Sequence, residues 1–136
     1  MIVEQYQLLI ADDDDAFRST LCEIFEPFFR LIEAESGEEA LERAAHEKVH
    51  LALFDMHMQC LTGLEALRRL KEIHTLAPCI LITGDYSAEL CDHAAEAQAF
   101  SVLKKPTTKK ELVRTVATAV ATTYHDNELT HQLLST

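Results

Sequence analysis

The stretch Leu8-Leu9-Ile10-Ala11-Asp12-Asp13-Asp14-Asp15 places four consecutive apolar residues directly before four consecutive aspartates. A short apolar run without alternation is typical of a strand that is buried on both faces of a parallel sheet. Parallel strands need a crossover between them, and that crossover is usually a helix. The stretch therefore predicts an α/β fold whose first strand ends in an acidic loop.

Four further apolar runs follow along the chain, and amphipathic stretches separate them. Phe17, Leu21 and Ile24 recur on one helical face directly after the aspartates. Residues 36–39 and 108–111 each offer a capping box, which marks the start of a helix. Strict alternation of five strands and five helices predicts a parallel sheet with crossover helices. The four further strand candidates cover residues 31–34, 51–54, 79–82 and 100–103.

The 136 residues suit one compact domain, and their charge excludes several functions. Twelve Lys and Arg face 23 Asp and Glu, which gives a formal net charge of −11. This acidity argues against direct binding of nucleic acid and against adhesion to an anionic membrane. No apolar run approaches the roughly 20 residues that cross a bilayer, and no secretory signal is visible. We therefore expect a cytoplasmic protein whose four cysteines are reduced thiols.

We expect a single domain over residues 1–124 and a C-terminal tail over residues 125–136. Leu129 and Leu133 lie four residues apart in this tail. That spacing fits an extension of the last helix that serves as a partner or dimer seam, or a linker. An unpacked terminus is an equally good interpretation.

Polar residues follow four of the predicted strands at the ends where ligands bind in open α/β sheets. They are the aspartates from residue 12, then Asp55, Thr83 and Lys105. Clustered carboxylates repel one another, and Mg²⁺ is the simplest relief because it prefers carboxylate and water ligands. Lys105 and Thr83 then add the means to hold a tetrahedral anion. This combination points to phosphoryl transfer, with one carboxylate as a nucleophile that forms an aspartyl phosphate.

These stretches resemble the receiver domain of two-component response regulators, and the resemblance covers about residues 6–123. Each motif alone is weak, but four in this order and spacing are specific. The resemblance implies a flavodoxin-like, doubly wound (βα)5 fold with strand order 2-1-3-4-5. The matching stretches are residues 8–14, 53–58, 80–84 and 103–106.

The resemblance implies a role for each residue at the ends of the first and third strands. Asp55 would be the phosphoacceptor and a metal ligand. Asp13 would bind Mg²⁺ directly, and Asp12 would act largely through water. The backbone carbonyl of His57 would be a further ligand.

The resemblance also implies the phosphate-binding residues. Thr83 and Lys105 would each contact a phosphoryl oxygen, and Gly84 would leave the group room. The Lys105-Pro106 bond is often cis in this family, which would aim Lys105 into the site. His57 and Asp85 occupy the positions that tune loss of the phosphoryl group. Asp85 orders a water and His57 screens the phosphate in this interpretation, so the phosphate lifetime stays open.

Two positions depart from the family pattern. Gln59 stands where the family usually has a proline, and we expect a looser loop there. Val102 stands at the aromatic switch position of the fifth strand, so a rotating aromatic ring at that position cannot carry the signal.

The leading hypothesis is a phosphorelay receiver that needs Mg²⁺. A histidine kinase or a histidine phosphotransfer protein would phosphorylate Asp55. The fourth helix, fifth strand and fifth helix would then change their binding to a downstream protein. The chemistry would be limited to self-phosphorylation and autodephosphorylation at Asp55, so the chain is not expected to be an enzyme. It is expected to be a monomer or a weak homodimer. Residues after 123 are expected to be too few for an output domain, unless the chain is a piece of a longer protein.

Several alternatives stay open. A degenerate receiver would bind partners without phosphorylation, which Gln59 and Val102 favour. A phosphohydrolase with an aspartyl-phosphate intermediate needs a second acid two residues after the nucleophile, where this chain has His57. A structural zinc site is disfavoured because the cysteines and histidines lack paired spacing. Asp14 and Asp15 are interpreted as helix-capping residues rather than metal ligands.

Overall fold

The computed structural model describes residues 5–136, which form one five-stranded parallel sheet flanked by helices. The strand order is β2-β1-β3-β4-β5, which confirms the predicted flavodoxin-like, doubly wound arrangement. The strands are β1 (Gln7–Ala11), β2 (Arg30–Ala34), β3 (Leu51–Asp55), β4 (Cys79–Thr83) and β5 (Ser101–Lys104).

Six helices are present in the described part of the chain, one more than the sequence predicts. A side chain at each N-cap accepts a hydrogen bond from the first turn, as Asp14 and Ser36 do for the first two helices. The predicted capping position Thr108 does the same for the fifth helix. The helices are α1 (Asp15–Phe25), α2 (Gly37–His46), α3 (Gly63–Ile73), α4 (Ala88–Glu96), α5 (Lys109–Tyr124) and α6 (Asn127–Leu134).

Two apolar layers cover the two faces of the sheet. Successive strand residues point to opposite faces, so Leu9 packs under α2 and α3 while Leu8 packs under α1 and α5. β3 and β4 are buried along their whole length, including Asp55 and Thr83 at their ends. Because both faces of these two strands are covered, their ends are where their polar groups can meet solvent. None of the helices within residues 5–136 has the length and apolar character needed to span a bilayer.

The tail forms a separate helix that packs on the domain, rather than a continuation of α5 or an unpacked terminus, while the domain boundary at residue 124 and a role as a partner or dimer seam stay predictions. His125 adopts a left-handed conformation (φ 52°) that ends α5, and Asp126 then caps α6. Leu133 is fully buried against the α1–α5 layer, and the Tyr6 hydroxyl donates to Asp126 Oδ2 at 3.1 Å. The chain reverses at this turn because a left-handed residue followed by a capping aspartate cannot continue a helix.

Leu133→Ala should lower the free energy of unfolding by about 2–4 kcal/mol, because it leaves a cavity in the packed layer. The neighbouring Leu134 is 57 % exposed, so Leu134→Ala should change the same quantity by less than about 0.5 kcal/mol. Urea denaturation of both variants measures the difference. Equal, small effects would mean that α6 does not pack on the domain in solution.

Candidate functional site

The carboxyl ends of β1 and β3 bring three aspartates together. β1 and β3 are neighbours with Ala11 opposite Phe54, so the residues that follow them leave the sheet side by side. Carboxylate oxygens of Asp12, Asp13 and Asp55 lie within 4.8 Å of one another. Among residues 5–136, no other group of three or more potential metal ligands lies so close together.

A lysine from the end of β5 faces this triad. Lys105 Nζ lies 3.0 Å from Asp55 Oδ1 and 3.7 Å from Asp12 Oδ2. The Lys105-Pro106 bond is cis, as the resemblance implies. The ammonium also lies over the ring of Phe17, 4.4 Å from its centroid, which is a cation–π contact. The sequence indicates Phe17 only as a core residue of α1, so this contact was not predicted.

Burial makes the negative charge of the triad costly. Asp12 is 2 % exposed and Asp55 is 6 % exposed as side chains. Desolvation raises the pKa of both carboxyls, and the charge of Asp13 raises it further, while Lys105 acts in the opposite direction. Burial lowers the pKa of Lys105, but its hydrogen bond to Asp55 and the charges of the neighbouring aspartates outweigh this and raise it. The site therefore favours a further cation.

The donor set suits a magnesium ion. Three carboxylates offer hard oxygen ligands, which Mg²⁺ prefers, and no soft sulfur or imidazole ligand is part of the triad. Asp12, Asp13 and Asp55 are the residues that would hold the ion. The backbone carbonyl of His57 stays a prediction as a fourth ligand.

Thr83 ends β4 with its side chain fully buried at the same rim. Its Oγ1 accepts a hydrogen bond from the Asp85 N–H at 3.0 Å and lies 3.4 Å from His57 Nε2. The neighbouring Gly84 is open, because a Cβ added there would meet no atom within 4 Å. The structure thus brings the predicted phosphate-binding residues to one edge, and their roles stay predictions.

The two residues predicted to tune the phosphate lifetime are both exposed and differ in how they reach the site. Asp85 approaches through its backbone, while the ring of His57 lies beside the Thr83 hydroxyl. Both line a cavity of about 240 Å³ with Leu64 and His93. At the two departures from the family pattern, Gln59 is exposed and Val102 is half-buried.

Gly63 is a structural residue of the site that the sequence did not single out. A Cβ at this first residue of α3 would overlap the backbone carbonyl of Asp55, so the position requires glycine. Its N–H donates to the Met56 carbonyl at 3.0 Å. The start of α3 is thereby held directly against the end of β3. A lone glycine before an apolar helix is the only sequence signal for this contact.

Arg18 is the second residue that the sequence did not single out. Its guanidinium donates to the Asp12 backbone carbonyl at 2.7 Å and to Asp15 Oδ1 at 2.7 Å. A basic residue one turn after an acidic loop is a weak signal, because such residues are common on exposed helix faces.

Comparison with known proteins gives a consistent family. The sequence profile of the response regulator receiver domain matches residues 8–117. The chemotaxis protein CheY of Halobacterium salinarum is 31 % identical over 112 residues, which are 82 % of this chain and 93 % of that protein. The transcriptional regulatory protein ZraR of Klebsiella oxytoca is 28 % identical over 121 residues, which are 88 % of this chain.

The chain covers very different shares of its relatives. It spans 27 % of ZraR and 27 % of a cyclic di-GMP phosphodiesterase of Thermotoga maritima, which is about a quarter of each protein. Most of the length of each of those two proteins therefore lies outside the part that this chain matches.

Solved structures agree with the fold. A CheY-like response regulator receiver domain protein from Methanospirillum hungatei has a TM-score of 0.86 at 24 % identity, covering 91 % of this chain and all of that one. CheY in a complex with CheX, BeF3 and Mg²⁺ from Borrelia burgdorferi has a TM-score of 0.77 at 24 % identity, covering 85 % and 89 %. The profile match over most of the length, together with the CheY relative, shows that this chain belongs to the response regulator receiver domain family.

Proposed function

We propose that this chain receives a phosphoryl group on Asp55 from a phosphohistidine donor protein. Phosphorelay signalling is the standard function of the receiver family. The observation that carries the specific proposal is the meeting of the Asp55 carboxylate with Lys105 Nζ at 3.0 Å and with two further carboxylates. It is the one place in the described chain where a nucleophilic carboxylate, an ammonium and a potential cation site coincide.

The transfer needs no reactant other than the phosphohistidine of the donor and the Asp55 carboxylate. An Asp55 carboxylate oxygen attacks phosphorus, a P–O bond forms, and the P–N bond of the donor breaks. The leaving imidazole nitrogen keeps the electron pair of that bond. A bound Mg²⁺ would supply positive charge beside the transferring group.

The residues of this chain would divide the remaining work. The ammonium of Lys105 pairs with Asp55 before transfer, and it would exchange this partner for a phosphoryl oxygen. Thr83 Oγ1 already accepts from the Asp85 N–H, so its own proton would go to a phosphoryl oxygen in place of His57 Nε2, which lies 3.4 Å away. Open space beside Gly84 leaves room for the tetrahedral group.

Receiver domains are signalling modules rather than conventional enzymes. For this chain we infer that the chemistry is limited to gain and loss of the phosphoryl group at Asp55. The donor would be a histidine kinase or a histidine phosphotransfer protein, and α4, β5 and α5 would present the changed surface to a protein partner. The free cysteines favour a reducing compartment such as the cytoplasm.

Asp55→Asn should abolish covalent phosphorylation, because an amide cannot act as the nucleophile. The wild-type chain with acetyl phosphate and Mg²⁺ should gain one phosphoryl group, seen as a mass increase that hydroxylamine removes. Chelation of the metal with EDTA should suppress the gain. Asp85→Asn keeps the triad and should still be modified. A wild-type chain that is never modified, or an Asp55→Asn variant that is, would contradict the proposal.

Asp13→Asn should stabilise the metal-free protein by about 1 kcal/mol, because it removes a like charge a few ångströms from two buried carboxylates. The same variant should lose the increase in Tm that Mg²⁺ gives to the wild type. Asp85→Asn removes an equal charge from the same rim. It should keep the metal-free stability of the wild type and its increase in Tm with Mg²⁺. Thermal unfolding with and without Mg²⁺ measures all three proteins. A full Mg²⁺ response in Asp13→Asn would mean that the triad is not the metal site.

A further inference from the structure

Arg18 is an unusually well-enclosed cation for a helix that faces solvent. Its side chain is 11 % exposed. Besides the Asp12 carbonyl and Asp15, it contacts Glu33 Oε1 at 3.3 Å and Glu35 Oε1 at 3.5 Å. The guanidinium thus joins the β1–α1 loop, the first turn of α1 and the end of β2.

Helix geometry explains how a residue on α1 reaches the end of β1. Asp14 caps the helix, and the Arg18 N–H donates to the Asp14 carbonyl at 2.9 Å, so Arg18 lies one turn into α1. Long side chains on a helix point back toward its N-terminus. The planar guanidinium has five donors in a fixed fork, which lets it contact several oxygens at once.

The oxygen that Arg18 binds is the carbonyl of the peptide between Asp12 and Asp13. The other side of this segment is also fixed, since the Asp12 N–H donates to the Ala34 carbonyl at 3.1 Å. The Asp14 N–H donates back to Asp12 Oδ1 at 2.9 Å. The plane of the Asp12–Asp13 peptide sets the directions in which both side chains leave the backbone. Its orientation therefore decides whether the two carboxylates meet Asp55.

We propose that Arg18 is a positioning residue for the metal site, which it serves by holding the Asp12 carbonyl so that the carboxylates of Asp12 and Asp13 converge with that of Asp55. The inference rests on the proposed function, because the triad must bind Mg²⁺. It assigns to Arg18 a role in metal affinity without direct contact with the ion.

The charge of Arg18 and its hydrogen bond to the Asp12 carbonyl predict opposite changes in Mg²⁺ affinity when Arg18 is removed. A cation beside the triad repels Mg²⁺, so removal of its charge alone would tighten metal binding. Loss of the hydrogen bond to the Asp12 carbonyl would loosen the ligand loop and weaken metal binding, as the loss of outer-shell partners does in other metal sites. The sign of the change in affinity therefore separates the two effects.

The test is a Mg²⁺ titration of the whole chain followed through the backbone amide NMR signals of residues 12–14. Arg18→Ala should weaken Mg²⁺ binding by about tenfold or more. Arg18→Lys keeps the charge and one donor group and should show an intermediate loss of about threefold. With saturating Mg²⁺, phosphorylation of both variants by acetyl phosphate should recover to within about twofold of the wild type, since only ligand positioning is impaired.

Arg43→Ala is the matched control. Arg43 also contacts the β2 end, through the Glu33 carbonyl at 3.3 Å, and it pairs with Glu47 at 2.6 Å, away from the Asp12 carbonyl. This variant loses the same charge and should bind Mg²⁺ with unchanged affinity. Urea unfolding of each variant establishes that it is folded, and Arg18→Lys carries the test if Arg18→Ala is not.

Two results would overturn the inference while leaving the proposed function intact. One is an Arg18→Ala variant that binds Mg²⁺ as tightly as the wild type or more tightly. The other is an Arg43→Ala variant that loses as much affinity as Arg18→Ala. A wild-type chain that does not bind Mg²⁺ would overturn the proposed function and this inference together.

Discussion

A parallel sheet with helices on both faces can expose the polar side chains of its central strands only where those strands end. In this chain β3 and β4 are buried throughout, so Asp55 and Thr83 can meet polar partners only at the rim. The strand order places β3 between β1 and β4, which sets Asp12 on one side of Asp55 and Thr83 on the other. The chemistry of the rim is therefore a consequence of strand order.

This arrangement concentrates negative charge in a site that is partly removed from water. Two cations offset this charge from different positions. Lys105 enters the cluster and contacts Asp55, whereas Arg18 stays behind the loop and contacts its backbone. A net charge of −11 argues against nucleic acid, but the net charge alone does not reveal the local site proposed to hold an anion once a cation is bound.

The fold and the rim residues could be predicted because they depend on local patterns. The apolar runs of three strands lead directly to Asp12, Asp55 and Thr83. The carboxyl ends of parallel strands lie along one edge in any sheet of this type. Arg18 could not be predicted, since its partners on β2 are brought near only by the crossover of α1. α6 was missed because an eight-residue helix gains its stability from packing rather than from its own sequence.

The reversal at His125 also sets where the end of α6 lies relative to the rim. α5 has 16 residues, so its two ends lie about 24 Å apart at 1.5 Å per residue. α6 has eight residues and runs back along about half of that distance, and Leu133 and Leu134 line one cavity with Lys109 and Lys110 in the first turn of α5. A tether attached beyond residue 136 would start close to the rim that carries Lys105. Its cargo would be held within short reach of the phosphorylation chemistry instead of at the opposite pole of the domain.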